Sequence, residues 1–128
     1  MENVARIIGY AVFSVVKSDR KVTDVEKQTV HDFVNENWKL LADQEDPFGV
    51  RAMDFIDKMM VVLDDKHLTS DDAFELFNEE FKEYKSLFTK EIKEFMIDLC
   101  IKAGNSFNRM NKSELVMLSR IEKVIKGK

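Results

Sequence analysis

Residues 4–26 read VARIIGYAVFSVVKSDRKVTDVE, and residues 92–114 read IKEFMIDLCIKAGNSFNRMNKSE. In the first stretch Val4, Ile7, Ile8, Ala11, Val12 and Val15 fall at the i, i+3, i+4, i+7, i+8, i+11 spacing of one helix face. Tyr10, Phe13 and Val16 make the other side apolar as well, and a helix that is apolar all round belongs at the centre of a bundle. Thr23-Asp24-Val25-Glu26 then carries the spacing of a capping box, in which the hydroxyl and the carboxylate satisfy each other's backbone N–H at a helix start. Shifted by 88 residues without a gap, Val4 falls on Ile92, Ile7 on Phe95, Ile8 on Met96, Ala11 on Leu99, Val12 on Cys100 and Val15 on Ala103. The loop keeps the register, with Ser18 on Ser106, Val22 on Met110, Thr23 on Asn111 and Glu26 on Glu114. Beyond it Val30 falls on Leu118 and Phe33 on Ile121. Any two amphipathic helices align somewhere, but two helices aligning together with their loop and cap read as one supersecondary unit used twice.

Working outward, Val30, Phe33, Val34, Trp38 and Leu41 continue the apolar face of a second helix. Asp46-Pro47 is an N-cap acid followed by proline at the first helical position, and opens a third with Ala52, Phe55, Ile56, Met59, Met60 and Leu63 as its stripe. Thr69-Ser70-Asp71-Asp72 opens a fourth, burying Ala73, Phe74, Phe77, Phe81 and Tyr84. Thr89 opens the fifth, with Gly104 as its natural stop. Asn111, with Glu114 three residues on, opens the sixth, burying Leu115, Leu118, Ile121 and Ile125. The expected architecture is all-α: one domain over 1–128, a bundle of about six helices with repeat units about 1–41 and 89–128 and intervening helices about 46–85.

Composition agrees. A chain of 128 residues can close one core without disulfides or metal, and four glycines and one proline are too few for an all-β chain full of tight turns. The lone Cys100 excludes an intramolecular disulfide framework, and the apolar run Ile7–Val16 is too short to span a bilayer, so a cytoplasmic location is expected. The charge is uneven: residues 1–42 are neutral, 43–88 carry a net −8 and 89–128 a net +4. Without a basic field over the whole domain, nucleic acid is not an expected partner. The polarity suits the orientation of a protein partner or of a second copy in a homo-oligomer, and equally a solvated acidic face.

The loop from Ser18 to Glu26, behind a helix rich in small apolar residues, resembles the tellurite-resistance TerB-like family, whose pattern here is A-D-G-x-[IV]-x-x-x-E. Asp19, Val22 and Glu26 match; Arg20 stands where the family has glycine, and in the second copy Phe107 and Asn108 replace Asp-Gly. The resemblance implies a TerB-like helical domain, a non-enzymatic binding or scaffolding role in bacterial stress response and tellurite resistance, and peripheral association with membranes through a partner. The alternative is a general helical interaction module, including a homodimer, in another process.

Asp19, Asp24 and Glu26 are the candidate metal ligands, since hard cations take several loop oxygens and the family's acidic clusters are associated with metal. Against this, the spacing is not that of an EF-hand, and Lys17, Arg20 and Lys21 repel a cation. Helix capping by Thr23, Glu26, Asn111 and Glu114 accounts for both acidic positions without a metal. Asp64, Asp65, His67, Asp71 and Asp72 cluster in sequence but match no metal-ligand spacing, and His31 stands apart. Cys100 on its apolar stripe reads as an inert buried thiol. No nucleophile elbow, zincin motif or phosphate loop is present, and neither a catalytic residue nor a cofactor is expected.

Overall fold

The computed structural model describes residues 2–18, 22–37, 47–106 and 109–127, leaving aside the side chains of Glu2 and of 47–54. They form six α-helices: α1 (Glu2–Lys17), α2 (Asp24–Asn37), α3 (Pro47–Asp65), α4 (Ser70–Glu83), α5 (Lys90–Asn105) and α6 (Lys112–Lys126). A short 3-10 turn, Lys85–Leu87, joins α4 to α5, and no strand occurs among the described residues. The protein is an all-α helical bundle. Trp38, Leu41 and Asp46 of the expected stripe and cap lie outside the described residues.

α1 is the axis of the bundle. Ile7, Ile8, Phe13 and Val16, from both of its apolar sides, are wholly buried and Tyr10 is partly buried, because α3, α4, α5 and α6 all pack on it. The one polar side chain inside it, Ser14, is satisfied locally: its Oγ donates to the Ala11 carbonyl at 2.7 Å. The Ser14 carbonyl in turn accepts from Ser70 Oγ at 2.7 Å, fastening the start of α4 to α1. Gly9 permits the close approach of α3. A Cβ placed there would lie 2.6 Å from Met59 Sδ, so a larger residue forces Met59 out of its seat.

α2 packs on α5 and α3, where Phe33 lies half-buried against Phe95 with ring centroids 5.6 Å apart. Phe74, Phe77, Phe81 and Phe88 form a run of tilted ring contacts under α4, the closest being Phe81 on Phe88 at 4.9 Å. Between helices, Arg6 pairs with Glu80 at 2.6 Å, and Asp64 takes Lys17 at 3.2 Å and Lys27 at 3.5 Å. Half-exposed pairs of this kind add about 0–1 kcal/mol each, so they orient α3 and α4 on α1 more than they hold them there.

The first and last helix pairs share their boundaries. α1 and α5 begin, and end, 88 residues apart, and so do the first residues of α2 and α6. Ser18 Oγ donates to the Val15 carbonyl, and Ser106 Oγ to that of Ala103, at the corresponding positions.

Tyr84 and Ile125, expected in the core, are only partly buried, and three further expectations change. Leu115 is not buried but 53% exposed, because α6 turns Glu114, Met117, Leu118 and Ile121 inward and Leu115 falls on the shoulder of that face. Phe55 is 37% exposed for the same reason, while Ile56, Met59, Met60 and Leu63 hold the inner face of α3. Gly104 does not stop α5. It is buried within the last turn, where a Cβ would meet Met110 Cε at 2.8 Å, so close packing of the loop explains it. The glycine with the left-handed stop conformation is Gly127, at φ 73°, closing α6.

Candidate functional site

Asp19, the first of the three candidate ligands, lies outside the described residues, as do Arg20 and Lys21. Asp24 is exposed in the first turn of α2, where a carboxylate is favoured by the helix dipole. Glu26 points the other way and is 2% exposed. Its Oε1 accepts from the Thr23 backbone N–H at 2.8 Å and from the Thr23 hydroxyl at 2.9 Å, and its own N–H donates to Thr23 Oγ1 at 3.1 Å. The structure therefore does not bring Asp24 and Glu26 to a common point. Among the described residues no group of three or more His, Cys, Asp or Glu side chains is placed to hold a metal ion.

The second loop is built alike. Glu114, 3% exposed, accepts from the Asn111 N–H at 3.0 Å, and its N–H donates to Asn111 Oδ1 at 2.9 Å. Both buried carboxylates thus satisfy helix-start N–H groups that have no intrahelical partner. A third box was not singled out from sequence: the Thr69 hydroxyl accepts from the Asp72 N–H at 3.0 Å, and Asp72 accepts from the Thr69 N–H at 3.2 Å. Its signal, Thr followed three residues later by an acid, lay in the same stretch already read as the start of α4.

The acidic run around His67 is divided among separate tasks. Asp64 faces Lys17 and Lys27, Asp72 closes the α4 cap, and Asp71 takes Arg120 at 2.9 Å. The same Arg120 guanidinium lies 4.1 Å from the centre of the Phe74 ring, which locks α6 to α4. His31 Nδ1 contacts Asp57 Oδ2 across α2 and α3. His67 is exposed, with a left-handed backbone at φ 57° in the α3–α4 turn.

Burial holds the Tyr10 hydroxyl above its ordinary value, with the Glu80 carboxylate adding to the effect and Arg6 opposing it. For Arg6, burial works downward, but the hydrogen bond and charge of Glu80 outweigh it and raise the guanidinium. Cys100 is fully buried; burial, aided by the Glu122 charge, pushes its thiol far up, so that it stays protonated and unreactive.

Among the described residues three shallow depressions of the surface stand out. One of about 430 Å³ runs between α5 and α6, where Ile97 and Ile125 are flanked by three carboxylates, Glu94, Asp98 and Glu122, and two lysines, Lys93 and Lys126, the last 3.9 Å from Glu122. One of about 450 Å³ lies between α4 and the end of α6, beside Lys82, Lys85 and Lys123. The third, about 360 Å³, sits where α1 ends and α4 begins, beside Ser18, His67 and Ser70. No protein-family model matches this sequence, and neither a curated protein nor a solved structure is similar enough to count as a match. The TerB-like resemblance rests accordingly on the loop residues Asp19, Val22 and Glu26.

The α5–α6 groove was not anticipated from the sequence. Its signal was Ile97 and Ile101, two apolar residues one turn apart but off the stripe that runs through Phe95, Leu99 and Ala103.

Proposed function

We propose that this chain is a non-enzymatic binding or scaffolding module acting in a bacterial stress-response setting of the TerB-like kind. The observation that carries the binding role is the use to which its polar groups are put. The buried carboxylates Glu26 and Glu114 are spent on helix caps, and Asp64, Asp71 and Glu80 on ties between helices. An enzyme site needs titratable groups converging on a space where a substrate atom can sit, whereas the titratable groups of the α5–α6 depression, Lys93, Glu94, Asp98, Glu122 and Lys126, line an open surface hollow. What the surface offers instead is apolar contact area: Ile101, Leu115 and Val116 are among its exposed large side chains. The stress-response setting is supported by the loop resemblance alone. The test is affinity capture from the native host, combined with tellurite challenge of a deletion strain. Specific co-purifying proteins and a tellurite-sensitive deletion support both parts of the reading. Specific partners with a tellurite-insensitive deletion favour the general interaction module. Turnover of a small molecule by the purified chain overturns the non-enzymatic role.

A further inference from the structure

The hollow of about 450 Å³ between α4 and the end of α6 has charges of one sign. Lys82 in the last turn of α4, Lys85 in the 3-10 turn and Lys123 in the last turn of α6 line it, and no acidic side chain does. Lys85 Nζ lies 3.9 Å from the point where a Cβ on Gly127 would stand, so this ammonium reaches across to the end of α6. Among the described residues none of the three lysines forms an ion pair or a hydrogen bond. The nearest acid in the α6 sequence, Glu122, faces the other hollow beside Lys126. Asn78, one turn before Lys82 on α4, is also in the lining, and its Oδ1 is buried with no donor to satisfy it. Phe81 and Val124 supply the apolar part of the wall.

Lysines near a helix C-terminus commonly answer its free carbonyls and its dipole. Here backbone N–H groups do the capping: Tyr84 donates to the Glu80 carbonyl at the end of α4, and Gly127 to those of Lys123 and Val124 at the end of α6. The two helix ends present roughly half a negative charge each, so three ammoniums leave a surplus of about two positive charges over the hollow. A carboxylate supplies one negative charge, whereas a phosphate monoester at neutral pH supplies about 1.5 to 2, with oxygens enough for several ammonium donors. The hollow is far larger than an inorganic ion and falls in the range of pockets that hold small organic ligands. We propose that the α4–α6 hollow binds a small organic phosphate monoester of sugar or nucleoside size. Lys82, Lys85 and Lys123 hold its phosphate, and Asn78, Phe81 and Val124 border its organic part.

Titration of the full chain, followed by backbone amide NMR, tests this with inorganic phosphate, ribose 5-phosphate and adenosine monophosphate as probes. The expected result is saturable shifts concentrated at 78–85 and 123–127 with the two organic phosphates, weaker ones with inorganic phosphate, and none with ribose or adenosine. Lys85→Gln/Lys123→Gln weakens binding by at least about tenfold, while Lys93→Gln/Lys126→Gln, in the α5–α6 hollow, leaves it unchanged. Lys85 and Lys123 are exposed, and far-UV circular dichroism checks that the helical fold persists. Affinity also falls as the pH drops through about 6, where a phosphate monoester takes up its second proton while lysines stay charged. Four results overturn the assignment: no saturable shift with any of the three phosphates, shifts that map elsewhere, equal binding of ribose or adenosine, or indifference to Lys85→Gln/Lys123→Gln. Binding only to vesicles containing phosphatidic acid, with no response to the soluble phosphates, overturns it as well and assigns the lysines to a lipid surface. The scaffolding role proposed above is tested separately, through its protein partners.

Discussion

Phe95 and Phe33 report directly on how the first helix pair meets the last. Phe95 is 5% exposed on α5, and its ring faces that of Phe33 on α2 at 5.6 Å with an interplanar angle of 41°. Replacing Phe95 with alanine removes a whole ring from the core and leaves a cavity that α2 and α5 can only partly close, a loss of about 3–5 kcal/mol. Domains of this size have a total stability of roughly 5–15 kcal/mol, so the variant keeps its fold but melts far earlier. Phe33, only half-buried, loses less: about 1–3 kcal/mol, since part of its ring already meets water. The tilted contact itself contributes about 0.5–1.5 kcal/mol, so the double variant falls short of the sum of the single losses by that amount. Urea denaturation of the four proteins, followed by far-UV circular dichroism and analysed at constant m, gives each term. A loss below about 1 kcal/mol for Phe95→Ala would mean the buried face of α5 is misassigned, because surface substitutions rarely exceed about 0.5 kcal/mol. A coupling energy of zero would mean that α2 does not rest on α5 at this point.

Other outcomes follow from the caps, the thiol and the loop. Thr23→Ala and Asn111→Ala each cost about 0.5–2 kcal/mol in the same denaturation assay, and Glu26→Gln is mild because glutamine still accepts from the Thr23 N–H; a Glu26→Gln loss as large as that of a core truncation would assign the carboxylate charge a role beyond capping. Burial keeps Cys100 protonated in the fold, whereas in the unfolded chain it ionises near 9.0, so above that pH the unfolded state binds fewer protons and stability falls as pH rises, by up to about 1.4 kcal/mol per pH unit for this group. Tyr10 acts in the same direction above 10.0, and Cys100→Ala should flatten the slope between the two values; an unchanged slope refutes the assignment. Calcium, magnesium, manganese and zinc leave the melting temperature unchanged relative to chelator, since Glu26 is engaged in its cap and Asp24 faces away; a rise of several degrees abolished by Asp19→Asn would establish a cation site in the first loop. Crystallography of the full chain is expected to superpose α1–α2 on α5–α6 at the 88-residue offset, and clearly different crossing angles in the two pairs would refute the internal repeat.

How much was legible in the sequence follows from what each signal depends on. Helix starts were legible because a cap is a local device: Thr23 with Glu26 and Asn111 with Glu114 lie within one turn of each other, and their hydrogen bonds need nothing from the rest of the chain. The inner stripes of α1 and α5 were legible because periodicity of 3.6 is a property of the backbone, and Ile8, Val12, Met96 and Leu99 are all wholly buried. Shared helix boundaries at the 88-residue offset were likewise legible, since caps and stripes together set them.

Only tertiary packing decided which residues at the edge of a stripe meet protein and which meet water. Phe13 and Ile101 stand at corresponding places on α1 and α5, yet Phe13 is wholly buried and Ile101 is 39% exposed. Periodicity places both on the flank of a helix and cannot say whether a neighbour lies there. Among the described residues α3 and α4 pack extensively on α1, whereas the main neighbours of α5 are α1, α2 and α6, and that asymmetry turns one flank into core and leaves the other open. Gly9 shows the same division of labour: its sequence neighbours mark it only as a small residue in a helix, and the need for it arises from Met59, 50 residues away in the chain. Distant pairs of this kind carry no local signature, because what selects them is the space left once whole helices have packed.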